Sequence, residues 1–304
     1  MQLSHLVVLA LAAAERTSAA SLPLRITSFN IRYAASSLES GEKPWWSLFC
    51  GIWKDMCREP HTTAYIRDIA TSTPSGTPAL FGLQEVLDNQ LSDIKNELGS
   101  SWQHVGVGRD DGAKKGEYSP IIYDGSVLRV LYSETKWLSP TPDVVSYGWG
   151  AGSRRVVTIG VFEHIATGKR FIHANTHLDN VSSQARSEGI KVAVARIKAV
   201  QGTWGPLGAT LTGDFNSSPG ADAYSTLSAT GYLQDLWAAA PHVGDLELTY
   251  TGFSGDAKSR LDYIWFGPLN DGKFSATKVE VRENVRDDIR VSDHRPVVGD
   301  LVLL

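Results

Sequence analysis

The sequence predicts an α/β (α+β) fold, specifically a four-layer α/β/β/α sandwich in which two packed mixed β-sheets are flanked by helices. Strand-like and helix-like segments occur in both halves of the 304-residue chain. No linker rich in Pro, Gly or Ser separates the halves, so we expect one domain over residues 21–304. Many short β-type segments lie between residues 102 and 162, which disfavours the rival doubly wound parallel sheet.

The first half of the chain alternates between strand and helix patterns. Short apolar runs predict strands at residues 24–31 and 79–83. Residues 62–71 look helical, and the apolar spacing of residues 87–98 predicts an amphipathic helix. The β-type segments that follow lie around His104 and at residues 121–123, 127–138 and 155–162, separated by turns rich in Gly, Pro and Asp.

The second half repeats this pattern. A strand is predicted at residues 170–177 and another at 207–213. Between them, Ser182 and Ser183 begin a helix that we expect to run to residue 201, with Ala185, Ile190 and Val194 on roughly one face. Strands are predicted at residues 261–266, 274–281 and 296–303.

The N-terminal residues predict a secretory signal peptide. An apolar run at residues 6–14 is followed by Ser18-Ala19-Ala20, so we expect a signal peptide over residues 1–20. The apolar run is well short of a bilayer span, which disfavours an N-terminal anchor, and no other segment is long enough to cross a membrane. We therefore expect a secreted, extracellular protein without stable membrane insertion.

Net charge and cysteine content narrow the function classes. A net charge of −4 and the lack of a long Lys/Arg run disfavour tight, sequence-independent binding of long duplex DNA, although a local positive cleft is compatible with both. In an oxidising environment the spacing of Cys50 and Cys57 suits a disulfide. A zinc site is disfavoured, because no second Cys pair or nearby His cluster completes four ligands.

Trp45, Trp46 and Trp53 lie beside these cysteines, and two interpretations stay open. Their rings could form a substrate lid that stacks on bases or sugar faces. Alternatively, they could form a small satellite core held by the disulfide, which we slightly favour. The sequence predicts no protein partner, and a monomer is the default expectation.

Polar residues recur where predicted strands end. In Gly213-Asp214-Phe215-Asn216, strand alternation would place Asp214 and Asn216 on one side and Phe215 towards the core. A carboxylate beside an amide can activate and hold one water molecule. Other strand ends carry a comparable polar side chain, at Asn30, Glu85, His177, Asp262, Asp293 and His294.

These strand ends resemble the endonuclease/exonuclease/phosphatase superfamily of metal-dependent phosphoesterases, which includes deoxyribonuclease I. The resemblance covers residues 24–303. Its most specific parts are Gln84-Glu85-Val86, the Gly213 to Asn216 tetrapeptide and the segment 292–297, which occur in the family's order. Within the superfamily, the chain is most similar to secreted or bacterial members of undefined substrate.

The resemblance implies a divalent metal cofactor, Mg²⁺ or Mn²⁺. A phosphodiester is anionic and resists attack, so a hard cation held by oxygen ligands must offset charge on its oxygens. By this resemblance Glu85 binds the metal, helped by Asn30, and Asp293 completes the site.

The resemblance also implies catalytic and binding roles. Asp214 would orient or deprotonate the attacking water, and Asn216 would hold water or phosphate. His294 and His177 would bind phosphate oxygens, with Asp262 setting the tautomer of His294. The remaining candidates are Glu117, expected to pair with His177, and the weaker phosphate contacts Arg155 and Asn180.

The leading functional hypothesis is a secreted, Mg²⁺-dependent phosphoesterase that hydrolyses a phosphodiester, with nucleic acid or nucleotides as partners. The alternative is a hydrolase of phospholipid or sugar-phosphate headgroups, and a third hypothesis is a binding protein without turnover. Arg32 stands where abasic-site endonucleases usually carry an acid, which disfavours repair of abasic DNA. The Asp-Arg signature of inositol 5-phosphatases is also absent.

Overall fold

The computed structural model describes residues 21–304, so the predicted signal peptide at residues 1–20 lies outside the described residues. Two large mixed sheets pack face to face, with helices on their outer faces, which confirms the four-layer sandwich. The strands are β1 (Leu22–Asn30), β2 (Ala79–Gln84), β3 (Trp102–Val105), β4 (Ile121–Asp124), β5 (Leu128–Trp137), β6 (Val156–His164), β7 (Arg170–His177), β8 (Gly208–Asp214), β9 (Gln234–Asp235), β10 (His242–Val243), β11 (Asp262–Gly267), β12 (Phe274–Val281), β13 (Val285–Arg286), β14 (Ile289–Arg290) and β15 (Val297–Leu303). The helices are α1 (Glu59–Thr71), α2 (Asp88–Leu98), α3 (Ser183–Trp204), α4 (Asp222–Ala229) and α5 (Leu236–Ala239), with 3₁₀ turns at Leu48–Gly51 and Lys54–Met56.

The strand order places two parallel pairs near the middle of the sandwich. The seven-stranded sheet runs β10-β12-β15-β1-β2-β4-β3, and the six-stranded sheet runs β5-β6-β7-β8-β11-β9. In the first sheet β1 is parallel to β2, and in the second β7 is parallel to β8. Parallel neighbours end at the same edge of a sheet, so each sheet offers two strand ends side by side.

Period-two alternation divides the strand residues between three apolar layers. On the face of the first sheet turned away from the second, Phe81 packs with Ile66 of α1 and Ile94 of α2. On the corresponding face of the second sheet, Leu211 packs with Ile190 of α3. The layer between the sheets holds Leu24, Leu80, Phe162, Phe171, Ile26, Ile264, Phe266 and Leu301.

Towards one edge, the layer between the sheets becomes polar. Asn175 of β7 donates from Nδ2 to the carbonyls of Leu83 (2.7 Å) and Pro120 (2.9 Å). Leu83 belongs to β2 of the first sheet, and Pro120 immediately precedes β4 of the same sheet. Asn175 Oδ1 accepts from Gln84 Nε2 at 2.7 Å and from the Thr212 hydroxyl at 3.0 Å. This network therefore ties β2 to β7 and β8 directly behind the edge where these strands end.

The predicted elements are all present, with boundaries that differ by a few residues. Helix α1 begins at Glu59 instead of residue 62, and α3 continues to Trp204 instead of ending at 201. Helix α4 was missed because its buried apolar pattern consists only of Ala223 and Leu227, too little for a periodic signal. The other missed elements, α5 and the strands β9, β10, β13 and β14, are four residues or shorter.

The cysteines form the expected disulfide between Cys50 and Cys57. The favoured interpretation of the neighbouring tryptophans as a satellite core is wrong for two of the three. Trp45 is buried, but Trp46 and Trp53 are each 58% exposed. Within residues 21–304, no helix combines the length and apolar character that crossing a membrane requires.

We predict that Gly82→Ala destabilises the fold. A Cβ at Gly82 would overlap Thr212 Oγ1 and lie 2.8 Å from Asn175 Oδ1, because side chains of the second sheet pack directly against the backbone here. The expected loss in the free energy of unfolding is about 1–3 kcal/mol, measured by urea denaturation. The matched control is Gly202→Ala in α3, where a Cβ meets no atom within 4 Å and should stabilise the helix. Equal stabilities of the two variants would contradict the close approach.

Candidate active site

A cleft of about 510 Å³ opens at the polar edge between the two sheets. The carboxyl ends of β1, β2, β7 and β8 meet there, together with the start of β11 and the segment before β15. Of the residues predicted for the site, those that line the cleft are Glu85, Glu117, Arg155, His177, Asn180, Asp214, Asn216, Asp293 and His294. Asn30 and Asp262 lie beneath this lining, Asn30 bonded to Glu85 and Asp214 and Asp262 bonded to His294.

Strand register sets three of these side chains in a row. His177 pairs with Asp214 across the parallel β7 and β8, and Asp214 pairs with Asp262 across the antiparallel β8 and β11. All three side chains point towards the other sheet. Each lies an even number of residues along its strand from a buried side chain that also faces the other sheet, and alternate residues of a strand share a face. The sheet therefore positions these groups without any loop.

Asp214 lies at the centre of the site. Its Oδ1 accepts from the backbone N–H of Asn216 at 2.8 Å, and its Oδ2 accepts from Asn30 Nδ2 at 2.9 Å. Burial raises the pKa of Asp214 to about 7, against the opposing charge of His294. A carboxyl group with this pKa can take up or release a proton near neutrality.

Asn216 reaches the cleft by a turn and not by strand alternation. Strand β8 ends at Asp214, and Asn216 has a left-handed φ of 47°. Its Nδ2 donates to the Leu178 carbonyl at 3.1 Å and lies 3.0 Å from His177 Nε2. Phe215 points into the helix-side core, as alternation predicted.

His294 is held between two carboxylates. Its Nδ1 lies 2.7 Å from Asp262 Oδ2, and its Nε2 lies 3.7 Å from Asp214 Oδ2. Burial alone would lower the pKa of His294, but the charges of Asp262 and Asp214 outweigh it and hold the pKa well above its ordinary value. His294 is therefore a cation at neutral pH, with Nδ1–H donating to Asp262.

His177 has a different partner from the one expected. Arg155 Nη1 lies 2.8 Å from His177 Nδ1, whereas the nearest oxygen of Glu117 is 3.8 Å away. An arginine can only donate, so Nδ1 must accept and the ring proton of the neutral imidazole sits on Nε2. Burial and the charges of Arg155 and Arg109 hold the pKa of His177 well below its ordinary value.

In this tautomer His177 Nε2–H has an acceptor in Asp214 Oδ2, 3.5 Å away, and a second donor, Asn216 Nδ2, lies 3.0 Å from the same nitrogen. Asn216 Nδ2 donates to the Leu178 carbonyl with one of its two hydrogens. An anionic oxygen in the cleft could accept from His177 Nε2–H and from the second hydrogen of Asn216 Nδ2.

Glu117 and Asn180 hold Arg155 from two other sides. Glu117 forms a two-bond pair with Arg109, at 2.7 and 2.8 Å, and lies 3.8 Å from Arg155 Nη1. Burial raises the pKa of Glu117 to about 7, with Glu85 adding to the rise. Asn180 Oδ1 accepts from Arg155 Nη2 at 3.1 Å. Together these contacts keep a guanidinium at the base of the cleft.

Of the three predicted metal ligands, Glu85 and Asp293 are carboxylates and Asn30 is an amide. Glu85 has a left-handed φ of 61°, and its carboxylate accepts from Tyr33 N–H (3.2 Å) and from Asn30 Nδ2 (3.0 Å). Asn30 Oδ1 accepts one hydrogen bond, from the Arg32 N–H at 2.9 Å. Asn30 therefore ties Glu85 to Asp214 through its NH₂ group, and its oxygen keeps a second lone pair that a cation could use.

Glu85 and Asp293 fit a divalent cation. Both carboxylates line the cleft. Burial raises the pKa of Asp293, against the charge of His294, and the carboxylate of Glu85 raises it further. Two carboxylates that repel each other at the wall of a cleft supply the hard oxygen ligands that Mg²⁺ and Mn²⁺ bind.

A second group, Asp214, Asp262 and His294, has ligand atoms that lie within 4.8 Å of one another. Its chemistry fits a cation less well. His294 Nδ1–H donates to Asp262, and the raised pKa of His294 favours the protonated ring, which has no free lone pair. Glu85 and Asp293 are therefore the carboxylates that could better hold a metal.

Several cleft residues were not predicted as functional. Arg32, Tyr33 and Glu39 line one wall, and Arg32 pairs with Glu39 at 3.3 Å. Tyr250 lines another wall, with its ring 5.0 Å from that of His294. No strand-end motif marks Tyr250, and only its tertiary position brings it to the site.

The chain resembles known proteins in sequence and in fold. A sequence model described as "Endonuclease/Exonuclease/phosphatase family" matches residues 52–294. An endonuclease/exonuclease/phosphatase from Bacteroides vulgatus is 31% identical, with a TM-score of 0.77, over 93% of this chain and 99% of its own. A family protein from Bacteroides thetaiotaomicron is 28% identical, with a TM-score of 0.79, over 94% and 97%.

A third solved structure has a stated activity. A mannosyl-6-phosphatase from Bacteroides thetaiotaomicron is 29% identical, with a TM-score of 0.76, over 92% of this chain and all of its own. No curated protein matches the chain.

We predict that His177 is neutral, with its proton on Nε2, and that Arg155 causes this state. Long-range ¹H–¹⁵N NMR of the imidazoles should show an unprotonated Nδ1 at neutral pH. In Arg155→Met the pKa of His177 should rise by about one unit or more, because a neighbouring positive charge is lost. Arg154→Met, which changes the adjacent and more exposed arginine, should leave both signals unchanged. An Nδ1–H tautomer in the unmodified protein would refute the assignment.

We predict that Glu85→Gln weakens Mn²⁺ binding by about tenfold or more, measured by calorimetry, because one of two carboxylate ligands loses its charge. Asp262→Asn should retain Mn²⁺ affinity if the metal lies at Glu85 and Asp293, because Asp262 contacts His294. The reverse pattern would move the metal to the group of Asp214, Asp262 and His294.

Proposed function

The chain belongs to the endonuclease/exonuclease/phosphatase family, whose members are metal-dependent phosphoester hydrolases, and on that premise we propose that it hydrolyses a small, hydrophilic phosphate ester of the sugar-phosphate class. The observation that carries this proposal is the size and polarity of the cleft. Its volume of about 510 Å³ lies within the range of small-molecule sites.

The cleft lining favours a hydroxyl-rich substrate. Most of the lining side chains are charged or carry amide, hydroxyl or imidazole groups, and Leu261 is the only aliphatic one among them. Arg32 and Glu39 pair at one wall and can exchange that contact for hydrogen bonds to hydroxyl groups. Tyr33 and Tyr250 offer ring faces on which the apolar face of a sugar can rest.

This proposal takes the alternative hypothesis from the sequence over the leading one. Nucleic acid binding depends on neutralising many phosphates, and the net charge of −4 does not favour it. The similarity to a mannosyl-6-phosphatase over nearly the whole chain supports a sugar-phosphate substrate.

The family is generally dependent on a divalent metal, and we propose that Glu85 and Asp293 hold Mg²⁺ or Mn²⁺. A cation at this position supplies positive charge that offsets the negative charge of the phosphate oxygens. Asn30 keeps the carboxylates of Glu85 and Asp214 at a fixed separation through its two N–H groups. Because the amide donates to both, it holds Asp214 oriented towards the cleft.

Asp214 is the general base in this mechanism. Its carboxylate takes a proton from the attacking water, while the backbone N–H of Asn216 stays bonded to Oδ1 and prevents rotation. Burial, which raises the pKa of Asp214, makes it a stronger base than an exposed aspartate. The water oxygen bonds to phosphorus, the phosphorus–oxygen bond to the sugar breaks, and the leaving oxygen takes a proton from the protonated ring of His294.

The two histidines act as different kinds of donor. His294, held protonated by Asp262, offers a cationic N–H to the phosphate. His177 offers a neutral Nε2–H beside the amide of Asn216. An anionic phosphate oxygen accepting from His177 and Asn216 would satisfy both donors at once.

We also propose that the protein is extracellular. The predicted signal peptide supports this, and so does the disulfide between Cys50 and Cys57, since disulfides persist in oxidising compartments.

We predict that Asp214→Asn and His294→Ala each lower the turnover of mannose 6-phosphate by about a hundredfold or more, because each removes a proton-transfer or charge-stabilising group. Phosphate release is the measurement, with and without EDTA. Asp245→Asn, an exposed aspartate, should keep full activity. Full activity of either site variant would refute the mechanism.

A comparison of products tests the substrate class, with phosphate measured for sugar phosphates, p-nitrophenol for bis(p-nitrophenyl) phosphate and shortened fragments for oligonucleotides. We expect faster turnover of sugar phosphates than of DNA or RNA oligonucleotides or bis(p-nitrophenyl) phosphate. Preferential cleavage of oligonucleotides would overturn the sugar-phosphate proposal and leave the assigned roles of Asp214 and His294 standing.

A further inference from the structure

A loop between β1 and α1 presents a large apolar surface to solvent. The aromatic loop, residues 44–57, consists of two 3₁₀ turns closed by the disulfide between Cys50 and Cys57. Its exposed apolar side chains are Trp46 (58%), Leu48 (83%), Phe49 (58%), Ile52 (73%), Trp53 (58%) and Met56 (45%). Single exposed apolar residues are common, but a contiguous group of this size marks an interaction surface.

The loop is firmly attached at its base. Trp45 is buried and its Nε1 donates to Asp93 of α2 at 2.8 Å. Arg58, also fully buried, donates to the carbonyls of Ile31, Arg32 and Tyr33 at 2.7–2.8 Å. The exposed side chains therefore project from a cross-linked and anchored segment.

The same contacts place the loop at the cleft edge of the molecule. Arg58 holds the chain that leaves β1, and Arg32 and Tyr33 of that chain line the cleft. Because α1 connects the parallel strands β1 and β2, its N-terminus lies at the edge where β1 ends. The aromatic loop, which immediately precedes α1, lies at that edge too.

We infer that the aromatic loop docks the protein on the surface of a lipid bilayer. Tryptophan and phenylalanine prefer the interfacial region, and leucine, isoleucine and methionine gain by leaving water for the acyl boundary. Carbohydrate binding would use only the exposed aromatic rings, whereas the two most exposed residues, Leu48 and Ile52, add aliphatic surface that suits an acyl boundary.

The charge of the loop determines which lipids it suits. Its only charged residues are Lys54 and Asp55, which cancel. The attraction is then apolar, without the polybasic cluster that selects anionic lipid. Binding should accordingly be similar for zwitterionic and anionic bilayers and should change little with salt.

Docking would hold the cleft beside the lipid surface, where phosphate esters of headgroups are present. Docking can be measured without turnover, so its test does not depend on the proposed function.

The test is sedimentation of the purified full chain with phosphatidylcholine vesicles and with vesicles containing phosphatidylserine. We expect binding to both, and a loss of about tenfold or more in Leu48→Asp/Ile52→Asp, because two charges would have to leave water. The matched control is Ile165→Asp, an exposed residue in the turn between β6 and β7 at the opposite end of those strands, which should bind like the unmodified protein. The apolar residues 6–14 are present in all three proteins and cannot produce a difference between them.

A fluorescence measurement reports on the loop alone. Vesicles should shift tryptophan emission to shorter wavelength, and this shift should be lost in Trp46→Phe/Trp53→Phe. Equal sedimentation of all variants, or an unchanged shift in the double Phe variant, would overturn the inference. Light scattering that shows a dimer abolished by Leu48→Asp/Ile52→Asp, without vesicle binding, would also overturn it in favour of a second copy of the chain.

Discussion

The close approach of the two sheets at Gly82 is the constraint on which the site depends. Without a side chain there, Asn175 and Thr212 of the second sheet reach the backbone of the first, and Asn175 bonds to two of its carbonyls. The residues that follow these contacts along each strand are the ones that line the cleft. The separation between Glu85 on one sheet and Asp214 on the other is therefore set by a buried polar contact and not by mobile loops.

The site concentrates buried charge, which is costly unless each group is paired. His294 has carboxylates on both sides, and the first of these, Asp262, is itself buried. Burial without full compensation raises the pKa values of Asp214 and Glu117 to about 7. The same low-dielectric edge that destabilises these carboxylates makes one of them useful as a base near neutral pH.

Two features that point to ligands lie at the same edge of the molecule. His177 Nε2 and Asn216 Nδ2 are two donors 3.0 Å apart in the cleft, where an anionic oxygen could accept from both. The aromatic loop leaves its apolar side chains in water, which an apolar surface would remove from it. The proposed docking would therefore keep the polar cleft and the apolar loop on the same side of the molecule.

The sandwich, its long strands and helices, and the polar strand ends were predictable from the amino-acid sequence, because period-two and period-3.6 patterns are local and repeat over many residues. The spacing of Cys50 and Cys57 also indicated the disulfide. Three features were visible only in the folded molecule. Arg155, and not Glu117, bonds to His177, the ring of Tyr250 lies beside that of His294, and Trp46 and Trp53 face solvent. These features depend on which distant segments of the chain meet and on how deeply each segment is buried. Neither is predictable from local sequence patterns, because the residues that come into contact lie far apart in the chain.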